Sequence, residues 1–181
     1  MNMAGETFQL RNGQTCFLRS VDPEDAGRMI SYMKMMLGET PYLLRTPEEF
    51  DYSLEDEAEV LRQRRDDPRA LMILAEIDGE IIATSDVMPM GVKSRTLHRA
   101  TLGMSVRRDY WRQGVGSAMM ERLIAHARQS GFEQIELEVV ADNERAVSLY
   151  KKMGFKIYGT FPDNMKYKDG TYADAYWMMK K

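Results

Sequence analysis

Two clusters of residues in this chain carry types and spacings suited to chemistry. The first, Val106-Arg107-Arg108-Asp109-Tyr110-Trp111-Arg112-Gln113-Gly114-Val115-Gly116-Ser117, runs from an alternating strand pattern into an amphipathic helix. It reads as a cradle for a pyrophosphate. Gly114 and Gly116 put no side chain in a ligand's way and tolerate strained backbone angles, so successive N–H groups can converge on an anion. The helix that follows adds its dipole. The second cluster is Asn143-Glu144-Arg145-Ala146-Val147-Ser148-Leu149-Tyr150-Lys151-Lys152-Met153-Gly154-Phe155. Taken alone, its Asn143 is a favoured helix N-cap, and Tyr150, with apolar neighbours at helical spacing, suits a core aromatic. Two familiar phosphate loops are excluded. A dinucleotide fingerprint needs a glycine where Met119 stands, and a P-loop needs Gly-Lys-Ser or Gly-Lys-Thr, which does not occur.

The elements that must position these clusters follow from periodicity. Phe8 to Leu10 and Gln14 to Val21 read as strands about an Asn12-Gly13 turn. Asp22-Pro23-Glu24-Asp25 supplies an N-cap, a proline at the first helical position and early acids; Met29, Ile30, Met33 and Leu37 form the apolar stripe and Gly38 the expected end. Residues 39 to 52 lack a period and read as a loop, and Ser53 opens a helix reaching Arg65. Leu71 to Ile77 and Glu80 to Met88 about Asp78-Gly79 form the strongest hairpin signal. Ala100, Leu102, Met104 and Val106 alternate as a half-buried strand that leads into the glycine loop. A helix from Gly116 closes at Gly131, Ile135 to Ala141 alternates as a strand, and a helix through Tyr150 stops at Gly154. Phe155 to Phe161 and Tyr172 to Met179 are the last strands. This order implies a mixed α/β sheet with helices on both faces.

Composition narrows the functional classes. The 181 residues suit one domain spanning 1–181. With 44% hydrophobic and 29% charged residues and a net charge of −3, nucleic acid and anionic membranes are not expected partners. No run is long and apolar enough for a membrane helix, and Met1 to Arg11 carries no export signal, so a cytoplasmic location is expected. Cys16 stands alone, which leaves no disulfide or thiolate cluster, and reads as a buried core thiol. His98 and His126 are too far apart to suggest a metal site, and none is expected. Met29, Met33 and Met36 fall at helical spacing and read as core filler.

In combination, Gly114-x-Gly116 at a helix start and Asn143-x-x-Ala146-x-x-Leu149-Tyr150-x-x-x-Gly154-Phe155 resemble the GNAT superfamily of N-acetyltransferases, which move acetyl from acetyl-CoA to an amine. The resemblance spans essentially the whole chain. It departs from the family's usual Gln/Arg-x-x-Gly-x-Gly/Ala loop in placing Trp111 at the Gln/Arg position. The resemblance implies a mixed, mostly antiparallel, splayed sheet of about seven strands. It further implies that the strand backbone at Met104 and Val106 pairs with the pantetheine arm. Backbone N–H groups of Arg112, Gln113, Gly114, Val115, Gly116 and Ser117 are implied to hold the pyrophosphate of acetyl-CoA, and Asn143 to cap its helix and touch the same molecule. Tyr150 becomes the implied catalytic residue, a phenol near the departing sulfur that can donate a proton. No covalent enzyme intermediate is required, because holding two substrates together itself lowers the barrier.

The acceptor is less legible. The implied substrate is a primary amine of a small molecule or peptide. Related proteins sometimes place a base in the strand before the glycine loop, but that strand offers Thr101, so no general base is identified; water relayed through Thr101, Ser105 or the acids of the first helical loop is one route. Glu48, Glu49 and Asp51 suit a cationic amine but fit a solvated surface segment better. Arg95, His98 and Arg99 point instead to an acceptor bearing carboxylate or phosphate. A different class of function, a non-catalytic acetyl-CoA-binding sensor, is the alternative, and Tyr150 favours the enzyme. Tyr172, Tyr176 and Trp177 in the last strand are read as core, with a homodimer interface as the other reading.

Overall fold

The computed structural model describes residues 3–181. Its strands are β1 (Glu6–Gln9), β2 (Thr15–Ser20), β3 (Leu71–Ile77), β4 (Glu80–Pro89), β5 (Arg99–Val106), β6 (Gln134–Val140), β7 (Lys156–Lys166) and β8 (Tyr172–Lys180). They form one sheet in the order β1-β2-β3-β4-β5-β6-β8-β7. Every neighbouring pair is antiparallel except β5 and β6. Eight strands stand where the resemblance implies about seven, and the mixed, mostly antiparallel sheet is as expected.

The helices are α1 (Ala26–Glu39), α2 (Leu54–Asp66), α3 (Val115–Gln129) and α4 (Glu144–Lys152). α1 differs from its expected bounds at both ends. Pro23–Asp25 forms a tight 3-10 turn, capped by Asp22, before the α-helix proper begins. At the other end the helix passes through Gly38 and stops before Thr40, which is extended. The residue before a proline is driven out of the helical region, so Pro41 rather than Gly38 sets this end.

Strand register sorts the side chains into two layers. Thr84, Asp86 and Met88 lie beside Ser105, Gly103 and Thr101 on one face, and there α1 and α2 pack through Met29, Tyr32, Met36 and Leu61. On the other face Leu102, Leu137, Val139 and Met178 join Met119, Met120 and Leu123 of α3 and Tyr150 of α4. Cys16 is fully buried in this second layer, and burial pushes its thiol up to about 11. That agrees with a core role. Tyr176 packs against the same core, whereas Tyr172 and Trp177 are exposed, which corrects the expectation that all three are core.

The sheet splits at its parallel step. β5 and β6 pair only over Arg99, Ala100 and Thr101 with Gln134, Ile135 and Glu136, and beyond Thr101 they diverge. Arg99 clamps the base of the split through a bidentate ion pair to buried Glu136, at 2.5 and 2.7 Å. β7 also runs past its expected end at Phe161. A bulge between Phe161 and Met165 absorbs Pro162 and Asp163, with Asp163 at φ 53°, and pairing resumes at Met165.

Candidate active site

The diverging strands leave a polar edge inside the protein. In an antiparallel pair alternate residues turn their peptide groups toward the partner. Arg99 and Arg107 both bond to the β4 side, to Met90 N–H and Ile82 C=O respectively. By the same alternation Met104 and Val106 direct theirs into the split. The Val106 carbonyl is already taken by the indole N–H of Trp111 at 2.7 Å. This split opens into a cavity of about 560 Å³, within the range of small-molecule sites.

The glycine loop forms one end of that cavity. Arg112 at φ 62° and Gly114 at φ 98° both take left-handed angles, which turn the chain sharply into α3. The N–H groups of Arg112, Gly114, Val115, Gly116 and Ser117 make no hydrogen bond among the described residues; the first intrahelical bond comes from Ala118 to Gly114 C=O. Gly116 also allows close packing, since a Cβ there would lie 2.9 Å from Leu149 Cδ2 and 3.4 Å from Met104 Sδ. Arg11, from the β1–β2 turn, braces the loop by donating to Gln113 C=O and Arg112 C=O, each at 3.2 Å.

Cations gather at the same end. The Arg145 guanidinium lies 3.1 Å over the Trp111 ring and Arg108 lies 5.7 Å from it. Burial, then the neighbouring Arg112 and Arg108, depress the pKa of Arg145. Neither Arg112 nor Arg145 has a carboxylate ion pair among the described residues. Trp111, the departure from the family loop, therefore fastens the end of β5 and seats Arg145. A row of free N–H groups beside unpaired guanidiniums fits a diphosphate. A smaller hollow of about 400 Å³ adjoins it, lined by Tyr42, Asn143, Arg145 and Ser148 among others.

Of the sequence-predicted residues, Met104, Val106, Arg112, Gly114, Val115, Gly116, Ser117, Asn143 and Tyr150 all line the cavity. Gln113 does not: its N–H turns to Tyr110 C=O at 3.4 Å and its Oε1 is buried without a partner. Asn143 caps α4 by accepting from Ala146 N–H at 3.3 Å. Tyr150 is buried, its ring 6.0 Å from that of Phe155, and its hydroxyl has no hydrogen-bond partner among the described residues. Burial pushes its pKa up to about 12. It is therefore a neutral phenol whose hydroxyl is left free for a ligand.

Thr101 and Ser105 line the cavity as well. Ser105 Oγ meets Tyr32 OH at 2.9 Å and Thr84 Oγ1 at 3.1 Å, so a relay through it ends on buried hydroxyls rather than on an acid. Of the acids of the α1–α2 loop, Glu48 pairs with Lys168 at 2.8 Å and Glu49 accepts from Thr46 N–H, and neither these two nor Asp51 is among the lining residues. Arg95, His98 and Arg99 are not among the lining residues, which removes their expected role toward an anionic acceptor. The sequence reasoning missed Glu138, the one carboxylate among the lining residues. Trp177 Nε1 and Asn164 Nδ2 donate to its two oxygens at 3.0 and 2.8 Å. Its signal was present in the polar face of the Ile135, Leu137, Val139 alternation.

A profile of the acetyltransferase (GNAT) family matches residues 37–155. The chain belongs to this family. It is 36% identical over 120 residues to the L-amino acid N-acetyltransferase AaaT of Escherichia coli (strain K12), covering 64% of this chain and 70% of that enzyme. It is 43% identical over 60 residues to the ribosomal protein bS18 alanine N-acetyltransferase of the same strain, covering 33% of this chain and 40% of that enzyme. A GNAT-family acetyltransferase from Streptococcus pneumoniae superposes with a TM-score of 0.87 at 25% identity, over 91% of this chain and 98% of that one. The fold is shared too by yncA of Salmonella typhimurium, solved with acetyl-CoA, at TM-score 0.78 and 16% identity over 92% and 93% of the two chains. This GNAT chain is an acetyl-CoA-dependent N-acetyltransferase. No helix among the described residues is long and apolar enough to cross a membrane, and no cluster of His, Cys, Asp or Glu there is suited to a metal.

Proposed function

We propose that the chain, acting as a single domain, transfers acetyl from acetyl-CoA to a primary amine by direct attack while both substrates are bound. The carrying observation is one continuous cavity that runs from the unpaired N–H groups of the glycine loop, along the free edge of β5, to Tyr150 and Glu138. The relatives support an amine acceptor: one is named for acetylating L-amino acids and another for an alanine of a ribosomal protein.

In this reading Arg112, Gly114, Val115, Gly116, Ser117 and Arg145 hold the diphosphate, and Met104 and Val106 align the pantetheine arm as an added strand. Acetyl-CoA supplies an activated acetyl group and a thiolate leaving group. A Met104 peptide N–H directed into the split can polarise the acetyl carbonyl. The acceptor nitrogen forms its bond to the acetyl carbon as the carbon–sulfur bond breaks. Glu138, directly or through one water, takes the proton the amine loses, and Tyr150 gives its proton to sulfur. Gln113 acts by shaping the loop. Asn143 caps α4 beside the diphosphate.

Thiol release from acetyl-CoA over amino acids, amino acid amides, polyamines and N-terminal peptides tests the reading. Turnover with at least one amine is expected, together with calorimetric binding of acetyl-CoA. A chain that fails to bind acetyl-CoA at millimolar concentration would sink it.

A further inference from the structure

The span matched to the family, residues 37–155, begins well after the first hairpin. Yet the β1–β2 turn touches the glycine loop directly. Leu10 is buried in the core and anchors that turn. Its N–H donates to Gln14 C=O at 2.8 Å, Gly13 N–H to Leu10 C=O at 3.0 Å, and Gln14 N–H to Asn12 Oδ1 at 3.0 Å. Gly13 makes the turn at φ 86°. So tied, the turn fixes Arg11, whose backbone N–H goes to Gln113 C=O and whose Nη1 goes to Arg112 C=O, each at 3.2 Å.

These contacts bear on the loop in two ways. Arg112 sits at φ 62°, an angle that is costly for a residue with a side chain, and the two donors from Arg11 help hold it there. The Arg112 and Gln113 carbonyls would repel an anion bound at the loop, and a donor on each offsets that repulsion. The guanidinium is not used up by this work. It carries a fork of donors, and among the described residues only Nη1 is engaged. No carboxylate there pairs with it: Glu6 of its own hairpin is held by Arg122, and Asp109 before the loop by Arg107. Arg11 is exposed and lines the cavity, as Arg112 and Arg145 do. Free guanidinium donors beside a row of free N–H groups are matched by a phosphate oxygen.

Resting on the placement of the diphosphate given above, we propose that Arg11 is a binding residue for acetyl-CoA supplied from outside the matched span. Its guanidinium donates to a phosphate oxygen of the ligand, while Nη1 and the backbone N–H keep the glycine loop in its left-handed turn. No bond to the protein is formed or broken in this role. The first hairpin is then part of the acetyl-CoA site as well as the edge of the sheet.

The test is the Kd for acetyl-CoA, by calorimetry at several salt concentrations, in the parent and in Arg11→Ala, Arg11→Gln and Arg11→Lys. Arg11→Ala is expected to raise Kd by about tenfold or more and to flatten its salt dependence, because one cation facing phosphate is gone. Arg11→Gln keeps an N–H for the Arg112 carbonyl without the charge, and is expected to bind as weakly as Arg11→Ala. Arg11→Lys is expected to restore the salt dependence and part of the affinity. S-acetylpantetheine ends before the diphosphate, so the ratio of kcat/KM for acetyl-CoA to that for this shorter donor is expected to fall about tenfold in Arg11→Ala. A thermal midpoint equal to that of the parent shows that a variant is folded, and Arg11→Gln against Arg11→Lys decides the matter if Arg11→Ala is not. A Kd within about twofold of the parent in Arg11→Ala overturns the proposal and leaves the acetyltransferase reading intact. Parent-like binding by Arg11→Gln, or an equal loss with both donors, overturns it too and makes Arg11 a brace of the loop alone. Failure of the parent itself to bind acetyl-CoA strikes the acetyltransferase reading and takes this proposal with it.

Discussion

Burial keeps the proton on Tyr150 well beyond the ordinary phenol range, up to about 12. A proton donor must still hold its proton when the sulfur departs, so the raised value keeps Tyr150 competent across the whole range in which an amine is free to attack. The alkaline limb of kcat is therefore expected to stay flat through pH 10, since the acid form is lost only as the pH approaches the raised value. Tyr150→Phe keeps the ring against Phe155 and removes only the hydroxyl. It is expected to lower kcat by about a hundredfold or more, with calorimetric affinity for acetyl-CoA within about twofold of the parent. An alkaline fall near pH 10 in the parent, or unaltered turnover in the variant, would remove Tyr150 from the donor role.

At the scale of elements, the glycine loop and α4 were legible because their constraints are local. A left-handed turn, a row of free helix N–H groups and an Asn cap leave marks within a few residues. Gly114 illustrates this: nothing crowds a Cβ there, yet its φ of 98° excludes ordinary side chains. Gly114→Ala is thus expected to cost about 1–2 kcal/mol of local strain. Its effect should appear as a several-fold rise in KM for acetyl-CoA with little change in kcat, measured by initial rates. Equal KM values would mean that the loop angle does not set diphosphate binding. What the sequence hid was contact between distant segments. Glu138 is held by Asn164 and Trp177, one from each strand of the last hairpin, and alternation alone marked it as a solvent-side acid. The seat that Trp111 gives Arg145 joins the loop to α4. β7 read as ending at Phe161 because Pro162-Asp163-Asn164 has turn composition, and only the pairing with β8 carries it on to Lys166.

Across the whole molecule, the sheet is two half-sheets joined by three residue pairs at the base of the split. The Arg99–Glu136 pair lies on that seam, with Gln134 and Tyr158 also donating to Glu136 at 2.8 and 3.2 Å. Removing one partner of a buried pair costs roughly 3–5 kcal/mol where the remaining charge is stranded. Arg99 is about a third exposed and Glu136 keeps two other donors, so Arg99→Ala is expected to cost less, about 2 kcal/mol. For a chain of this size that is a fall of about 4–8 °C in thermal midpoint. The pH dependence separates the ion pair from simple loss of packing. Hydrogen bonds from Arg99 lead the causes that hold Glu136 below the ordinary carboxylate value of 4.5. An acid depressed in the folded state contributes stability that is complete above its unfolded value and is lost as the pH falls through the folded one. The gap in midpoint between parent and Arg99→Ala should therefore be full at pH 7 and close progressively below about 4.5, read by calorimetry at stepped pH. A gap that persists unchanged into acid would show that Arg99 acts through its packed stem, and that the seam between the half-sheets is held by backbone pairing alone.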